Sequence, residues 1–192
     1  MIKYRYPIYL ASKSPRRKKL LKLLNFNVKL VSFQFEEYDN VKLKPYRLVK
    51  QLSLEKLEAA LIRKRKGIYI TADTIVVHGN KVLNKPLDEQ DAFKMLSFLS
   101  NKTHTVYTGF CVYNSVNNKL INDYEKTRVT FRKLDKDEIW DYIASGSPMD
   151  KAGAYGIQDD YGAVFIKKIN GCYYNVVGLP LTKVFQSILK VV

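Results

Sequence analysis

Cysteine is scarce in this 192-residue chain, which contains only Cys111 and Cys172, without the spacing typical of metal ligands. A disulfide framework and a cysteine-based zinc site are therefore not indicated. The chain also lacks an apolar run of about 18 residues, and its first residues contain no apolar signal-peptide core. It has no internal repeat, low-complexity tract or obvious linker. We expect a soluble, cytoplasmic protein with no membrane segment, folded as one large domain or as two closely joined lobes.

Acidic residues are also few: 18 Asp and Glu against 33 Lys and Arg give a formal net charge of +15. This charge would attract polyanions such as nucleotides, nucleic acid or an anionic membrane surface. The excess is mostly lysine and is scattered along the chain, whereas nucleic-acid readers concentrate their charge and rely on arginine. Hydrophobic residues make up 46% of the chain, which argues against disorder. The charge permits an anionic ligand but does not identify one, and nucleic acid is not the expected partner.

The most informative stretch is residues 10–24, LASKSPRRKKLLKLL. The apolar residues before it predict the end of a buried strand, Ser14 is a good N-cap, and Pro15 suits the first position of a helix. Free N–H groups and the positive end of the helix dipole make such a turn receptive to anions. Arg16 and Arg17 occupy the first turn, where basic residues are disfavoured, and such a local conflict often marks function. A phosphate site and an ordinary capped helix with a basic, solvated face both remain open.

Two charged residues lie within otherwise apolar patterns. Pro45 begins a helix predicted to reach about Lys66, and Lys56 falls on one of its apolar lines. Asp73 interrupts the β-branched strand predicted over 68–77. A buried carboxylate must be paired or bind a cation, because desolvating it alone costs several kcal/mol. Lys56 is thus either a snorkelling surface residue or a ligand, and Asp73 is either the partner of a lysine or a metal ligand or general base.

The rest of the pattern first alternates strands with helices and then forms hairpins, which predicts a mixed sheet. Further strands are predicted over 28–35, 81–83, 105–113, 119–133, 163–169 and 172–177. Further helices are predicted after the caps Asp88 and Asp135 and over 181–191. Residues 147–162, SPMDKAGAYGIQDDYG, read as a long loop of the kind that often carries function.

Five blocks in order resemble the Maf family of nucleoside triphosphate pyrophosphatases over nearly the whole chain. The blocks are LASKSPRRKKLL, the pair Glu55-Lys56, ADTIVVHGNKVLNKP, SGSPMDKAGAYGIQ and NGCYYNVVGLPL. The resemblance implies one Maf-like domain over residues 1–192, with an α/β fold like that of inosine triphosphate pyrophosphatases. That fold has a mixed twisted sheet with flanking helices and two lobes around one active-site cleft.

The resemblance also implies an activity and its residues. A nucleoside triphosphate would be cleaved between its α- and β-phosphates, with Mg²⁺ or Mn²⁺, to a monophosphate and pyrophosphate. Phosphate-binding roles would fall to Ser12, Arg16, Lys56 and Lys85. Asp73 would be the proton acceptor or a metal ligand, and Glu37 would be a second metal ligand. Such basic and acidic groups suit a phosphate displacement, which needs positioning and charge stabilisation.

Three residues resemble the family branch that acts on dTTP and UTP. They are Arg16 in SPRR, Thr74 in ADT and Gln158 in YGIQ, whereas the branch acting on 7-methyl-GTP tends to carry SPWR and SDQ. A glutamine amide can both donate to and accept from the edge of uracil or thymine. The resemblance therefore predicts hydrolysis of dTTP and UTP, with removal of unwanted or modified nucleotides as its purpose.

The family is also associated with septum formation, so the rival interpretation is a basic regulatory or nucleic-acid-binding protein linked to cell division. Such a protein should display stacking aromatics among basic residues on one surface. The tyrosines here lie largely in predicted strands that need them for packing. A homodimer is expected from the resemblance alone.

Overall fold

The computed structural model describes residues 6–35, 43–62, 65–158 and 161–192. Within these residues the strands are β1 (Ile8–Leu10), β2 (Val28–Leu30), β3 (Ile68–His78), β4 (Lys81–Leu83), β5 (Thr103–Asn114), β6 (Lys119–Phe131) and β7 (Ile166–Asn170). The α-helices are α1 (Pro15–Lys22), α2 (Pro45–Leu61), α3 (Glu89–Leu99), α4 (Lys136–Ala144), α5 (Tyr173–Val177) and α6 (Leu181–Val191). Short 3₁₀ turns cover Ser147–Asp150, Ala152–Ala154 and Tyr161–Phe165.

The strands join one mixed sheet in the order β2-β1-β3-β5-β6-β7, with β4 paired to β3. β1 runs parallel to both β2 and β3, and the connections pass through α1 and α2, as parallel pairing requires. β4 is antiparallel to β3 across the predicted turn Gly79-Asn80, and β7 is antiparallel to β6. The mixed α/β fold predicted from the alternation of elements is therefore confirmed.

The chain divides into two compact units. The first takes the described parts of 1–73 together with Thr108–Glu125 and Gly178–Val192, and the second takes Thr74–Tyr107 and Lys126–Val177. A buried cluster in the first unit consists of Tyr9, Ala11, Val31, Leu57, Ala60, Tyr69 and Cys111. The larger cluster in the second unit includes Val76, Leu83, Leu96, Val129, Phe131, Ile139, Tyr142, Tyr155 and Phe165. Each unit thus has a core of its own.

The helix starts predicted at Ser14, Asp88 and Asp135 are confirmed by their capping contacts. Ser14 Oγ accepts a hydrogen bond from the Arg17 N–H at 3.5 Å, with Pro15 at the first helical position of α1. Asp88 Oδ1 accepts from the Asp91 N–H at 2.7 Å at the start of α3. Asp135 forms a capping box at the start of α4. These contacts satisfy backbone donors that a helix cannot satisfy internally.

The strand predicted over 172–177 is wrong, because this segment contains helix α5. Asn175 is fully buried there, and its Nδ2 donates to the Val106 carbonyl at 3.1 Å and to Thr127 Oγ1 at 3.0 Å. A buried amide needs such partners, and these tertiary bonds outweigh the strand-like composition of the segment.

Four other predicted elements are too long, among them β6, which was predicted over 119–133 and ends at Phe131. β2 ends at Leu30 because its partner β1 ends at Leu10, and the Val31 N–H donates the last bond of the pair to the Leu10 carbonyl at 3.0 Å. β7 begins at Ile166 rather than 163, since a 3₁₀ turn precedes it. α2 ends at Leu61, short of the predicted end near residue 66.

Among the described residues, none of the helices combines the length and the apolar character needed to cross a lipid bilayer.

Candidate functional site

α2 and β3 bring Lys56 and Asp73 into direct contact in the first unit. Lys56 Nζ lies 2.5 Å from Asp73 Oδ1, and the two side chains are only 7% and 10% exposed. Lys56 faces inward because it shares a helix face with the buried residues of α2, and Asp73 interrupts a strand that is otherwise almost entirely buried. Of the alternatives that the sequence left open, a lysine partner for Asp73 is the one observed. The ion pair compensates two charges that would each be costly to bury alone.

The ring of Phe35 also contacts Lys56. The Lys56 ammonium lies 5.0 Å from the ring centroid, within the range of a cation–π interaction. Phe35 is the last described residue before the gap at 36–42. Glu37, the predicted second metal ligand, therefore lies outside the described residues, and its role stays a prediction.

Ser12 lies just beyond β1, and Asp73 lies on β3 a short way past the last residue that pairs with β1. Leu10 pairs with Ile70 in the parallel register of β1 and β3, so Ser12 and Asp73 follow the paired positions by two and three residues. The ends of parallel strands at one edge are where α/β proteins commonly bind ligands.

The hydrogen bonds of Ser12 determine what its hydroxyl can do. Ser12 Oγ accepts from the Ser14 N–H at 3.2 Å and from Arg17 Nη1 at 3.2 Å. A hydroxyl has two lone pairs and one proton, so these bonds occupy both acceptor positions and leave the O–H group to donate. A phosphate oxygen is a strong acceptor for such a donor. The phosphate-binding role of Ser12 stays a prediction.

Arg17 borders the candidate site through contacts that the sequence did not reveal. Besides its bond to Ser12, Arg17 donates from Nε to the Gly178 carbonyl at 2.8 Å, which ties the start of α1 to the segment before α6. Both arginines occupy the first turn of α1, where the helix dipole disfavours positive charge, so the sequence pattern singled them out equally. Arg16 is half-buried in the same turn, and its assigned role in phosphate binding stays a prediction.

Thr74, Lys85 and Gln158 lie in the second unit, on three segments that the structure brings together. The Gly153 N–H donates to the Asn84 carbonyl at 3.0 Å, directly before Lys85. A Cβ added to Gly153, whose φ is +70°, would lie 2.9 Å from Val76, two residues after Thr74. Gln158 follows Gly153 by five residues on the same loop. The glycine thus allows the loop to pack closely on both segments.

Buried aromatic side chains anchor this loop from the other side. Tyr142 Oη accepts from the Gly156 N–H at 3.2 Å, and His104 Nε2 lies 2.7 Å from Tyr155 Oη. Burial lowers the pKa of His104 to about 3 and raises the pKa of Tyr155 well above its usual value, so both groups stay neutral near pH 7. The hydrogen bonds of these side chains hold the loop in place.

The predicted site residues divide between the units. Ser12, Lys56 and Asp73 belong to the first, and Thr74, Lys85 and Gln158 belong to the second. Asp73 and Thr74 are consecutive residues of β3, where the boundary between the units falls. The predicted cleft between two lobes stays a prediction.

A magnesium or manganese ion fits the donor chemistry of Asp73. No group of three or more His, Cys, Asp or Glu side chains able to hold a metal occurs in the part of the chain that the structure describes. Mg²⁺ does not require such a cage, because it is usually held by one or two carboxylates together with substrate phosphates. Asp73 supplies one carboxylate, so the predicted metal is compatible with the residues present and remains to be tested.

Comparison with known proteins identifies the class to which this fold and these residues belong. Residues 7–191 match the family model described as Maf-like protein, and the chain belongs to the Maf family. Among its relatives, a dTTP/UTP pyrophosphatase of Thermosipho melanesiensis is 51% identical over 93% of this chain and 94% of its own. Proteins with the same name from Clostridium perfringens and Thermoanaerobacter sp. are 44% and 46% identical, over 94% and 95% of this chain and 95% of each of theirs.

A solved structure, the nucleoside-triphosphatase or dITP/XTP pyrophosphatase of Mycobacterium abscessus, gives a TM-score of 0.43 at 13% identity. The match covers 67% of this chain and 75% of that one. The likeness is too weak to support an inference about this protein.

Proposed function

We propose that this protein hydrolyses dTTP and UTP to the nucleoside monophosphate and pyrophosphate. Relatives named dTTP/UTP pyrophosphatase, at 44–51% identity over more than nine-tenths of the chain, support the proposal. The structural observation that carries it is the buried pair of Lys56 and Asp73, close to the end of β1 that Ser12 follows. A basic protein that regulates division or binds nucleic acid has no comparable support from these relatives.

The triphosphate would bind through donors and positive charge. The Ser12 hydroxyl, held as a donor by Ser14 and Arg17, would bond to a phosphate oxygen. Half-buried Arg16 and exposed Lys85 would neutralise further phosphate charge. Lys56 would add a third cation beside Asp73.

Hydrolysis adds one water molecule across the α–β anhydride, so that the hydroxyl joins the α-phosphate and pyrophosphate leaves. Asp73 would accept a proton from that water or orient it, and its contact with Lys56 fixes the carboxylate in place. A carboxylate that acts only as a metal ligand is the alternative. When bound by Asp73 and Glu37, Mg²⁺ or Mn²⁺ would supply positive charge against the charge that develops on the phosphate oxygens.

The preference for dTTP and UTP is assigned to Arg16, Thr74 and Gln158. The Gln158 amide would both donate to and accept from the base edge, which suits uracil and thymine. The fixed packing of Gly153 would hold this loop at a constant distance from Lys85. The proposal includes a cytoplasmic location and a homodimer, and light scattering that shows a monomer at working concentration would remove the latter.

The test is a panel of nucleoside triphosphates with Mg²⁺ or Mn²⁺, in which pyrophosphate and monophosphate are both quantified. We expect the highest kcat/KM for dTTP and UTP and weak hydrolysis of 7-methyl-GTP. Asp73→Asn should lower kcat by several orders of magnitude, whereas Asp141→Asn, on the exposed side of α4, should not change it. A higher kcat/KM for 7-methyl-GTP than for both dTTP and UTP would overturn the assigned specificity. Near-normal turnover by Asp73→Asn would make Asp73 a structural ion-pair partner.

A further inference from the structure

A second buried contact joins α2 to β3 next to the Lys56–Asp73 pair. Thr71 Oγ1 donates a hydrogen bond to the Ser53 carbonyl at 2.6 Å, and neither residue is exposed to solvent. Thr71 lies two residues before Asp73, on the same face of the strand, because side chains alternate along a strand. Ser53 lies three residues before Lys56, on the same face of the helix. The helix and the strand are therefore joined at two successive points.

The side chain of Ser53 does not compete for the Thr71 proton. Ser53 Oγ donates to the Lys50 carbonyl at 2.8 Å, within α2, and lies 3.6 Å from Cys111 Sγ. Burial raises the pKa of the Cys111 thiol, so it stays uncharged near pH 7. Thr71 also has a side-chain hydrogen bond with Cys111, and its hydroxyl bonds the helix backbone to β3 through the Ser53 carbonyl.

Gly109 determines how closely α2 approaches the sheet. A Cβ added to Gly109 would lie 2.1 Å from the Val49 carbonyl oxygen and 2.7 Å from the Lys50 nitrogen. The backbone of α2 therefore lies directly on β5, within about one turn of Ser53. Gly109 limits the distance between the helix and the sheet, while the Thr71 bond limits sliding of the helix along β3.

We propose that Thr71 is a positioning residue that sets the register of α2 on β3 and thereby holds Lys56 Nζ against Asp73. Thr71 contacts neither phosphate nor water in this role; it acts through the helix backbone. The catalytic consequence rests on the proposed function, in which Lys56 and Asp73 act together on the triphosphate. The mechanical consequence, a coupling between Thr71 and the ion pair, does not depend on the activity.

The kinetic test compares Thr71→Val, which removes the hydroxyl but keeps the branched shape, with Thr71→Ser, which keeps the hydroxyl. We expect Thr71→Val to lower kcat for dTTP about tenfold with KM changed less than twofold, since a misplaced group of this kind affects the reaction more than binding. Thr71→Ser should stay within twofold of the wild type. Thr130→Val, which removes a hydroxyl bonded to Thr103 Oγ1 at 2.8 Å in the second unit, should leave kcat unchanged.

Two kinetic outcomes would overturn the proposal. One is a normal kcat for Thr71→Val in an active protein. The other is an equal loss in Thr71→Val and Thr71→Ser, because the hydroxyl would then not be the cause. If Thr71→Val does not fold, Thr71→Ala, which also removes the hydroxyl, takes its place with the same expectations.

A denaturation test separates this proposal from the proposed function. Lys56→Met should lower the denaturation midpoint less in the Thr71→Val background than in the wild type, because the ion pair is already loosened there. Equal shifts in both backgrounds would overturn the positioning role even if the protein proves active. If the wild type releases no pyrophosphate, the proposed function fails, and the denaturation comparison alone decides the role of Thr71.

Discussion

Removal of both partners of the Lys56–Asp73 pair should destabilise the protein by less than the sum of the two single removals. The two atoms lie 2.5 Å apart and the side chains are 7% and 10% exposed, so each charge is buried and depends on the other. Loss of one partner from a buried pair typically costs about 3–5 kcal/mol, because the remaining charge stays desolvated without compensation. We therefore expect Lys56→Met to cost about 3 kcal/mol.

The double variant Lys56→Met/Asp73→Asn measures the coupling free energy between the two side chains. Met is unbranched and its sulfur can still contact the ring of Phe35, so Lys56→Met removes the charge with little loss of packing. Asp73→Asn should cost somewhat less than Lys56→Met, since an amide oxygen can still accept from Lys56. With both charges gone, the double variant should be about as stable as the less stable single variant, or more so. This corresponds to a coupling of about 2 kcal/mol.

Urea denaturation at pH 7, followed by circular dichroism, measures the free energy of unfolding of the wild type, the two single variants and the double variant, which together form a double-mutant cycle. Lys94→Met, on an exposed position of α3, is the matched control and should shift the midpoint very little. Additive losses in the double variant would refute the reasoning, because the two side chains would then contribute to stability independently.

Further predictions concern pH, phosphate binding and the Gly153 loop. Buried, neutral His104, with its pKa lowered to about 3, should make the protein about 2 kcal/mol less stable at pH 5 than at pH 8, because the unfolded chain takes up the proton from about pH 6.5 downward. His104→Gln should abolish that part of the pH dependence in denaturation experiments. Ser12→Ala should raise KM for dTTP about tenfold, since a hydrogen bond to a charged group contributes about 1.5–3 kcal/mol, and an unchanged KM would contradict the donor role. The exposed Ser32→Ala is its control. Gly153→Ala should lower stability by about 1–3 kcal/mol in thermal unfolding, because its φ is +70° and the added Cβ would lie 2.9 Å from Val76.

Local patterns predicted the elements whose stability is decided locally. Ser14 and Asp88 cap helices because their side chains bond to backbone groups three residues away, which a short sequence window contains. The run that begins at Ile68 forms a strand because its β-branched residues suit a buried sheet. Lys56 and Asp73 could be singled out because charges in apolar patterns are costly, whatever the fold.

Contacts between distant parts of the chain could not be predicted in the same way. The pairing of Lys56 with Asp73 depends on the packing of α2 on β3, to which Gly109 contributes from β5 and Thr71 through a bond to the backbone of α2. Asn175 overrides the strand-like composition of its segment through bonds to residues about 50 and 70 positions away. Arg17 is distinguished by its bond to Gly178, near the other end of the chain.

The most direct measurement is hydrolysis of dTTP and UTP in ¹⁸O-enriched water with Mg²⁺, followed by phosphorus NMR of the products. We expect dTMP and UMP that carry the heavy oxygen on the α-phosphate, together with unlabelled pyrophosphate. Orthophosphate with a nucleoside diphosphate, label in the pyrophosphate, or no hydrolysis of either nucleotide would contradict the proposed function.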